Sequence, residues 1–236
     1  MNALARSLGS ADAVVTYHGV EVLAAPHLTR RMIESMSLGR FERREVACGL
    51  AAIPEGSRVL EMGAGSGVVG AVLARNTKPA AMLSIEANPF LIDHITRLYA
   101  HNGLSDMISV RHAVVLTDPA APQVMEFFVQ NNFLGSGLVS RKVEKATRVS
   151  VPVLGYAALK AAFPHDVIMM DIEGGELDFL RHADLTGVHT FIAEVHKDIY
   201  GRAGVQEVRS LMVKAGFTLR DDLSKVGVHV YKRTEA

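Results

Sequence analysis

From Arg58 onward, short apolar runs alternate with stretches in which apolar residues recur every three or four positions, the signature of buried strands and amphipathic helices in turn. Before that point the pattern is weaker. Ala13 to Thr16 and Val20 to Ala24 flank Tyr17-His18-Gly19, a spacing that predicts a hairpin across a glycine turn. From Leu28 to Ile53, Met32, Ile33, Met36 and then Phe41, Val46, Leu50 predict two helices broken near Gly39. After Pro54-Glu55-Gly56, strands are predicted over Arg58 to Met62, Ala81 to Glu86, Met107 to His112, Val167 to Ile172, Val188 to Val195, Phe217 to Arg220 and Val226 to Tyr231. Val68, Val69, Val72 and Leu73 mark one helix between them, and Leu91, Ile95, Leu98 and Tyr99 a second. Asn88-Pro89 caps that second helix and Gly103 ends it. Val205, Val208, Leu211, Met212 and Ala215 mark a later helix.

Parallel strands can be joined only by crossovers, so this order predicts an α/β fold: a doubly wound, mostly parallel seven-stranded sheet covered by helices on both faces. Val167 to Ile172, apolar at nearly every position, reads as a strand buried on both faces. Between Asp118 and Pro152 the alternation stops. Phe127 to Val129, Gly137 to Val139 and Arg148 to Val151 suggest short strands separated by Asn131-Asn132 and by turns carrying Arg141, Lys142 and Lys145. The expected organisation is therefore residues 1–55 as a hairpin and helical extension packing on the core, and residues 56–236 as the ligand-binding domain, with an insertion at 118–152.

The balance of 25 basic and 25 acidic residues among 236 argues against a nucleic-acid partner, which usually demands a basic excess. No segment approaches the roughly 18 apolar residues of a membrane span. The single cysteine, Cys48, rules out an internal disulfide and a cysteine zinc site. With an N-terminus that does not read as a secretion signal, the expected compartment is the cytoplasm.

In a doubly wound sheet, ligands bind at the carboxyl ends of the strands, and the first strand-to-helix turn lies there. Gly63, Gly65 and Gly67 occupy that turn, where missing side chains let the backbone pass close to a ligand. Glu86 ends the second strand, where a carboxylate can accept both ribose hydroxyls. A nucleoside cofactor follows. Gly65 to Gly70 also satisfies the G-x-G-x-x-G of dinucleotide binding, which keeps an NAD(P)-dependent oxidoreductase open. Glu61, just before the first glycine, would repel a pyrophosphate and suit the cationic amino-acid end of S-adenosyl-L-methionine.

Val59-Leu60-Glu61-Met62-Gly63-Ala64-Gly65-Ser66-Gly67 resembles motif I of class I S-adenosylmethionine methyltransferases, a Rossmann-like fold. Asp166 to Leu180, with Asp171-Ile172-Glu173-Gly174-Gly175-Glu176 at its centre, is similar to the D-[IV]-E-G-x-E signature of FkbM-type methyltransferases. The likeness runs from about Arg58 to Lys232, with Val149 to Leu154 matching the strand that precedes the signature. Here Glu61 replaces the family's usual aspartate and Gly65 its asparagine. The resemblance implies O-methylation of a hydroxyl on a small molecule, sugar or natural product, free or carrier-borne. It also implies that Glu61, Gly63, Gly65 and Gly67 hold the methionine end, Glu86 the ribose, and Ala87 with Ala113 and Val114 the adenine, with Asn102 assisting.

Methyl transfer to a hydroxyl is an in-line displacement at a sulfonium carbon. Alignment supplies about 7 to 11 kcal/mol at best, and a positioned base about 10² to 10⁴ in rate. Asp171 ends the fourth strand facing the same crevice, so Asp171 or Glu173 could be the base; Asp171 would then also line the cofactor site. The pair could instead hold Mg²⁺ or Mn²⁺ to acidify the hydroxyl. His196, at the end of the next strand, could be base or ligand. Each has a plainer alternative: Asp171 as a helix cap, His196 as a solvated strand end. His94, His101, His112 and His182 show no ligand spacing and are expected at the surface or in packing. A non-catalytic cofactor-binding subunit is a third reading. Acceptor contacts are expected from the N-terminal helices and the insertion, whose Phe127, Phe128 and Phe133 would cover either the site or an oligomeric partner.

Overall fold

The computed structural model describes residues 13–129 and 147–234. The expected strand over Gly137 to Val139, the Asn131-Asn132 turn, Phe133 and the Arg141-Lys142 and Lys145 group lie outside the described residues. Seven strands form the central sheet: β3 (Arg58–Met62), β4 (Ala81–Glu86), β5 (Ile108–His112), β9 (Val167–Met170), β10 (Thr190–Glu194), β11 (Phe217–Leu219) and β12 (Val228–Arg233). Their order is β11-β12-β10-β9-β3-β4-β5. β3, β4, β5, β9 and β10 run parallel, while β12 is antiparallel to both β10 and β11. The strand order reverses between β3 and β9, so the crevice of a doubly wound sheet opens there.

The alternation of side chains along each central strand feeds two cores. Val59, Val167, Met169, Ile192 and Val230 point to one face, and Leu60, Met62, Ile168, Met170, Phe191 and Tyr231 to the other. The first face is covered by α2 (Arg43–Ala52), α3 (Val68–Thr77) and α4 (Pro89–His101). The second is covered by α5 (Tyr156–Ala162), α6 (Glu176–His182) and α7 (Lys197–Lys214). The hairpin of β1 (Ala13–Tyr17) and β2 (Val20–Leu23), with α1 (Arg30–Ser37), joins the first core through Tyr17, Val20, Val22, Met32 and Met36. Tyr17 Oη donates to the Phe41 carbonyl at 2.6 Å and ties that hairpin to the start of α2.

A second, three-stranded sheet stands beside the site, with β6 (Val114–Leu116) parallel to β8 (Thr147–Gly155), and β8 antiparallel to β7 (Val124–Val129). β6 and α5 were not expected. β6 has three residues, and α5 buries only Tyr156 and Leu159, too short a stripe to show a period. The strand expected to reach Ile172 stops at Met170, because the chain turns away at Asp171 to form the site. Among the described residues no helix is long and apolar enough to cross a membrane.

Gly63 joins β3 to the glycine loop at φ 88°, and a Cβ there would overlap the Asp171 backbone carbonyl. Gly63→Ala therefore combines left-handed strain with a backbone clash that neither chain can yield to, and should lose about 3 kcal/mol or more. Gly56→Ala (φ 78°, with open space around the added carbon) should lose only about 1 kcal/mol. Thermal unfolding of the two variants checks this: the Gly63 variant should melt lower by several degrees more, and equal melting points would refute the close approach.

Candidate active site

A cavity of about 560 Å³ opens at the carboxyl ends of β3, β4 and β9, within the usual range for small-molecule sites. Its wall includes Gly63, Gly65, Glu86, Ala87, Ala113, Val114 and Asp171, so most of the expected cofactor residues share one space. Gly67 stands just behind as the N-cap of α3 (φ 75°), packed against Ile95. Glu86 is buried and tied into the loop: the Gly65 N–H donates to its Oε2 and the Asn88 N–H to its Oε1, each at 2.7 Å. Burial raises its carboxyl to about 7, with those backbone donors pulling the other way. Each oxygen keeps a lone pair for a further donor. The Ala87 carbonyl lies 3.0 Å from His112 Nε2, and the Ala113 N–H donates to the Glu86 carbonyl at 3.0 Å.

Glu61 differs from expectation. It lines the cavity, yet its carboxyl accepts from Ser84 Oγ, which lies 3.2 Å from Tyr99 Oη, and Gly70 leaves the space it fills. Burial raises it to about 8, so near neutral pH it is mostly protonated and offers little charge to a cationic ligand. Asn102 is not brought to the site at all. It follows the C-terminus of α4, about 20 Å along the helix from Asn88 at the cavity. There it bonds the Glu21 N–H and carbonyl, each at 2.9 Å, and Arg75, linking β2 to α4.

Asp171, Glu173 and His196 do converge. His196 Nε2 lies 3.7 Å from Asp171 Oδ1 and 3.5 Å from Glu173 Oε2, and one ligand atom from each of the three falls within 4.8 Å of the others. Asp171 and Glu173 line the cavity, whereas His196 is not among its lining residues. Asp171 Oδ1 is buried without a hydrogen-bond partner. Burial, then Glu194 and Glu173, push its carboxyl well above the ordinary range. Glu173 adopts a left-handed conformation (φ 53°) that non-glycine residues rarely take.

Glu176, the last residue of the signature, is fully buried and organises this group. His196 Nδ1 lies 3.1 Å from its Oε1, which also accepts from the Ile172 and Gly174 N–H groups at 3.3 Å, and Tyr200 Oη donates to Oε2. Burial alone would raise its carboxyl, but the His196 and Tyr200 hydrogen bonds outweigh that and hold it low. The same bond raises His196 to about 9. Sequence reasoning assigned Glu176 no role, although its place in the signature was visible. It also missed Phe41, Glu42 and Glu45, which α2 and the two residues before it bring to the cavity wall. Burial, then Glu45, Glu194 and Glu173, push Glu42 up to about 7. From the insertion, Ala120, Pro122, Met125 and Phe127 line the cavity, and His182 does so from α6.

The Methyltransferase FkbM domain model matches residues 61–219, more than half of the chain. No curated protein matches it. Among solved structures, a ribosomal protein L11 methylase from Lactobacillus delbrueckii subsp. bulgaricus is 13% identical, covering 84% of this chain and 80% of its own, with a TM-score of 0.48. An O-methyltransferase from Bacillus cereus, in complex with SAH, is 15% identical over 80% of each chain, with a TM-score of 0.46. The B. subtilis tRNA methyltransferase TrmK is 17% identical, covering 81% of this chain and 66% of its own, with a TM-score of 0.47.

The buried acids make a pH prediction. A carboxyl raised in the folded state keeps its proton where the unfolded chain has released it, so its stability contribution is complete below the ordinary value of 4.5 and is lost as pH rises toward the folded value. Urea unfolding should therefore show stability falling between pH 4.5 and about 8, and Glu61→Gln should flatten that fall by an amount on the order of a few kcal/mol. An unchanged slope in the variant would mean that Glu61 ionises normally.

Proposed function

Because the chain belongs to the FkbM family of methyltransferases, we propose that it moves the methyl group of S-adenosylmethionine to a hydroxyl oxygen on a small or carrier-borne molecule. The observation that carries this reading is the shared cavity, with the glycine loop, Glu86, Ala113 and Val114 along one part of its wall and Asp171 and Glu173 along another. In the proposed pose, the Gly63 to Gly67 loop receives the methionine end and Glu86 accepts the ribose hydroxyls. Ala87, Ala113 and Val114 flank the adenine, and the sulfonium methyl faces Asp171.

The acceptor oxygen attacks the methyl carbon, the carbon–sulfur bond breaks with its electron pair left on sulfur, and S-adenosylhomocysteine departs. The hydroxyl proton passes to a carboxylate of the Asp171–Glu173 pair; burial and the like charge of Glu194 and Glu173 increase the basicity of Asp171. An alcohol needs such a group more than an amine does, because a neutral amine attacks without first losing a proton. That requirement is why oxygen is favoured as the acceptor atom.

Isothermal titration is the test of the cofactor. S-adenosylhomocysteine should bind, NAD should not, and Glu86→Ala should weaken binding at least tenfold through the loss of charge-assisted hydrogen bonds of about 1.5 to 3 kcal/mol. NAD binding with no S-adenosylhomocysteine binding would sink the proposal. Release of S-adenosylhomocysteine across panels of hydroxyl, amine and thiol compounds then tests the acceptor atom: turnover confined to amines overturns the oxygen assignment. Asp171→Asn should reduce turnover on a hydroxyl acceptor by about 10² or more.

A further inference from the structure

We propose that Asp171, Glu173 and His196 form a divalent-cation site of two carboxylates and one imidazole, with Glu176 and Tyr200 as its supporting layer. Four observations carry it. The three donor groups come from two strand ends, β9 and β10, yet meet with ligand atoms 3.5 and 3.7 Å from His196 Nε2 and all within 4.8 Å. For metal–oxygen bonds of about 2.1 Å, adjacent donors stand about 3 Å apart and opposite ones about 4.2 Å apart, so the set is near the required spacing.

The imidazole is oriented as a ligand would be. Its Nδ1 is held by a fully buried carboxylate, Glu176, which leaves Nε2 to face the two acids. A histidine that binds a metal through one nitrogen usually gives the other N–H to such an acceptor. Glu176 is in turn pinned by Tyr200 and by two backbone N–H groups of the loop that carries Glu173, so ligand and support are built from one turn. Asp171 Oδ1 is buried with no hydrogen-bond donor, an arrangement that costs free energy unless a cation or donor satisfies it. Glu173 keeps its place in a left-handed conformation that costs about 1 to 2 kcal/mol, strain typical of functional positions.

Oxygen donors with a single imidazole suit Mn²⁺ or Mg²⁺ better than the softer metals that thiolates select. Cation entry exchanges the Nε2 proton of His196 for the metal, and that proton leaves to solvent. The cation's role in catalysis rests on the methyl-transfer reading: it would bind the acceptor oxygen and make its proton easier to lose. Each carboxylate offers one oxygen to the cation, so the second oxygen of Asp171 or Glu173 still takes the proton.

The test uses the full-length protein freed of metal by chelation, with Mn²⁺ as the probe, read by loss of the free-ion signal in electron paramagnetic resonance. About one Mn²⁺ per chain should bind. His196→Ala should weaken binding at least tenfold and Glu176→Gln by about tenfold or more, while His196→Ala keeps S-adenosylhomocysteine binding as proof of its fold. Native protein that binds S-adenosylhomocysteine but not Mn²⁺, or an His196→Ala variant that binds Mn²⁺ as tightly as the native chain, overturns the cation site and leaves the methyl-donor site standing. Mn²⁺ binding without S-adenosylhomocysteine binding upholds the cation site and removes the cofactor reading instead.

Discussion

The glycine loop after β3 lies so close to the end of β9 that no side chain fits at Gly63, and the site depends on that contact. Parallel pairing of β3 with β9 brings the two strand ends level, Met62 opposite Met170. The Asp171 N–H then donates to the Met62 carbonyl at 2.9 Å, so the turn that carries the acids starts in register with the loop. Were Gly63 to carry even a methyl group, the β3 and β9 ends would part. The loop would separate from Asp171, and the two parts of the cavity wall would no longer face each other.

Three buried acids surround that contact, and each is accommodated by different chemistry. Glu61 sits below the loop with hydroxyl neighbours only, so burial prevails and it keeps its proton. Glu86 has two backbone N–H donors, which offset part of the burial and leave it poised near neutrality. Glu176 gains an imidazole and a phenol in addition to backbone donors, and it stays charged although no part of it is exposed. A buried carboxylate is tolerated in proportion to the donors aimed at it. Donor supply, rather than depth, therefore decides how readily each of these acids carries charge, and the one held lowest also holds His196.

How much was legible in the chain follows the same division. β3, β4, β9 and the glycine loop were readable because each is a short apolar run ending in glycine or an acid, a pattern local to a few residues. Asp171, Glu173 and His196 could be named because strand ends in this topology face one crevice. Asn102 was misplaced although the parallel β4–α4–β5 crossover already carries the end of α4 away from the glycine loop. Glu42 and Glu45 gave no signal, since an acid near the start of a helix reads as ordinary capping or dipole chemistry. Only the packing of α2 on α3, where Gly49 lets the helix approach Leu73, turns them toward the cavity.

The two parts of the cavity wall are thus specified in different ways. The part proposed for the cofactor is local: a strand, a glycine turn, a helix start and an acid at the next strand end, each placed by its own neighbours in sequence. The other part is assembled from distant pieces, with Phe41, Glu42 and Glu45 from before the sheet and Asp171 and Glu173 from its middle, while Phe127 of the insertion packs against Ala87 and Val114. Pieces joined only by tertiary packing can change without disturbing the sheet. Pieces that form the strand ends cannot, because the register of β3, β4 and β9 depends on them. If the proposed reading holds, the identity of the acceptor is carried by the residues with the least local pattern. In the proposed reading, its chemistry falls to the few acids and the histidine that the sheet itself brings together.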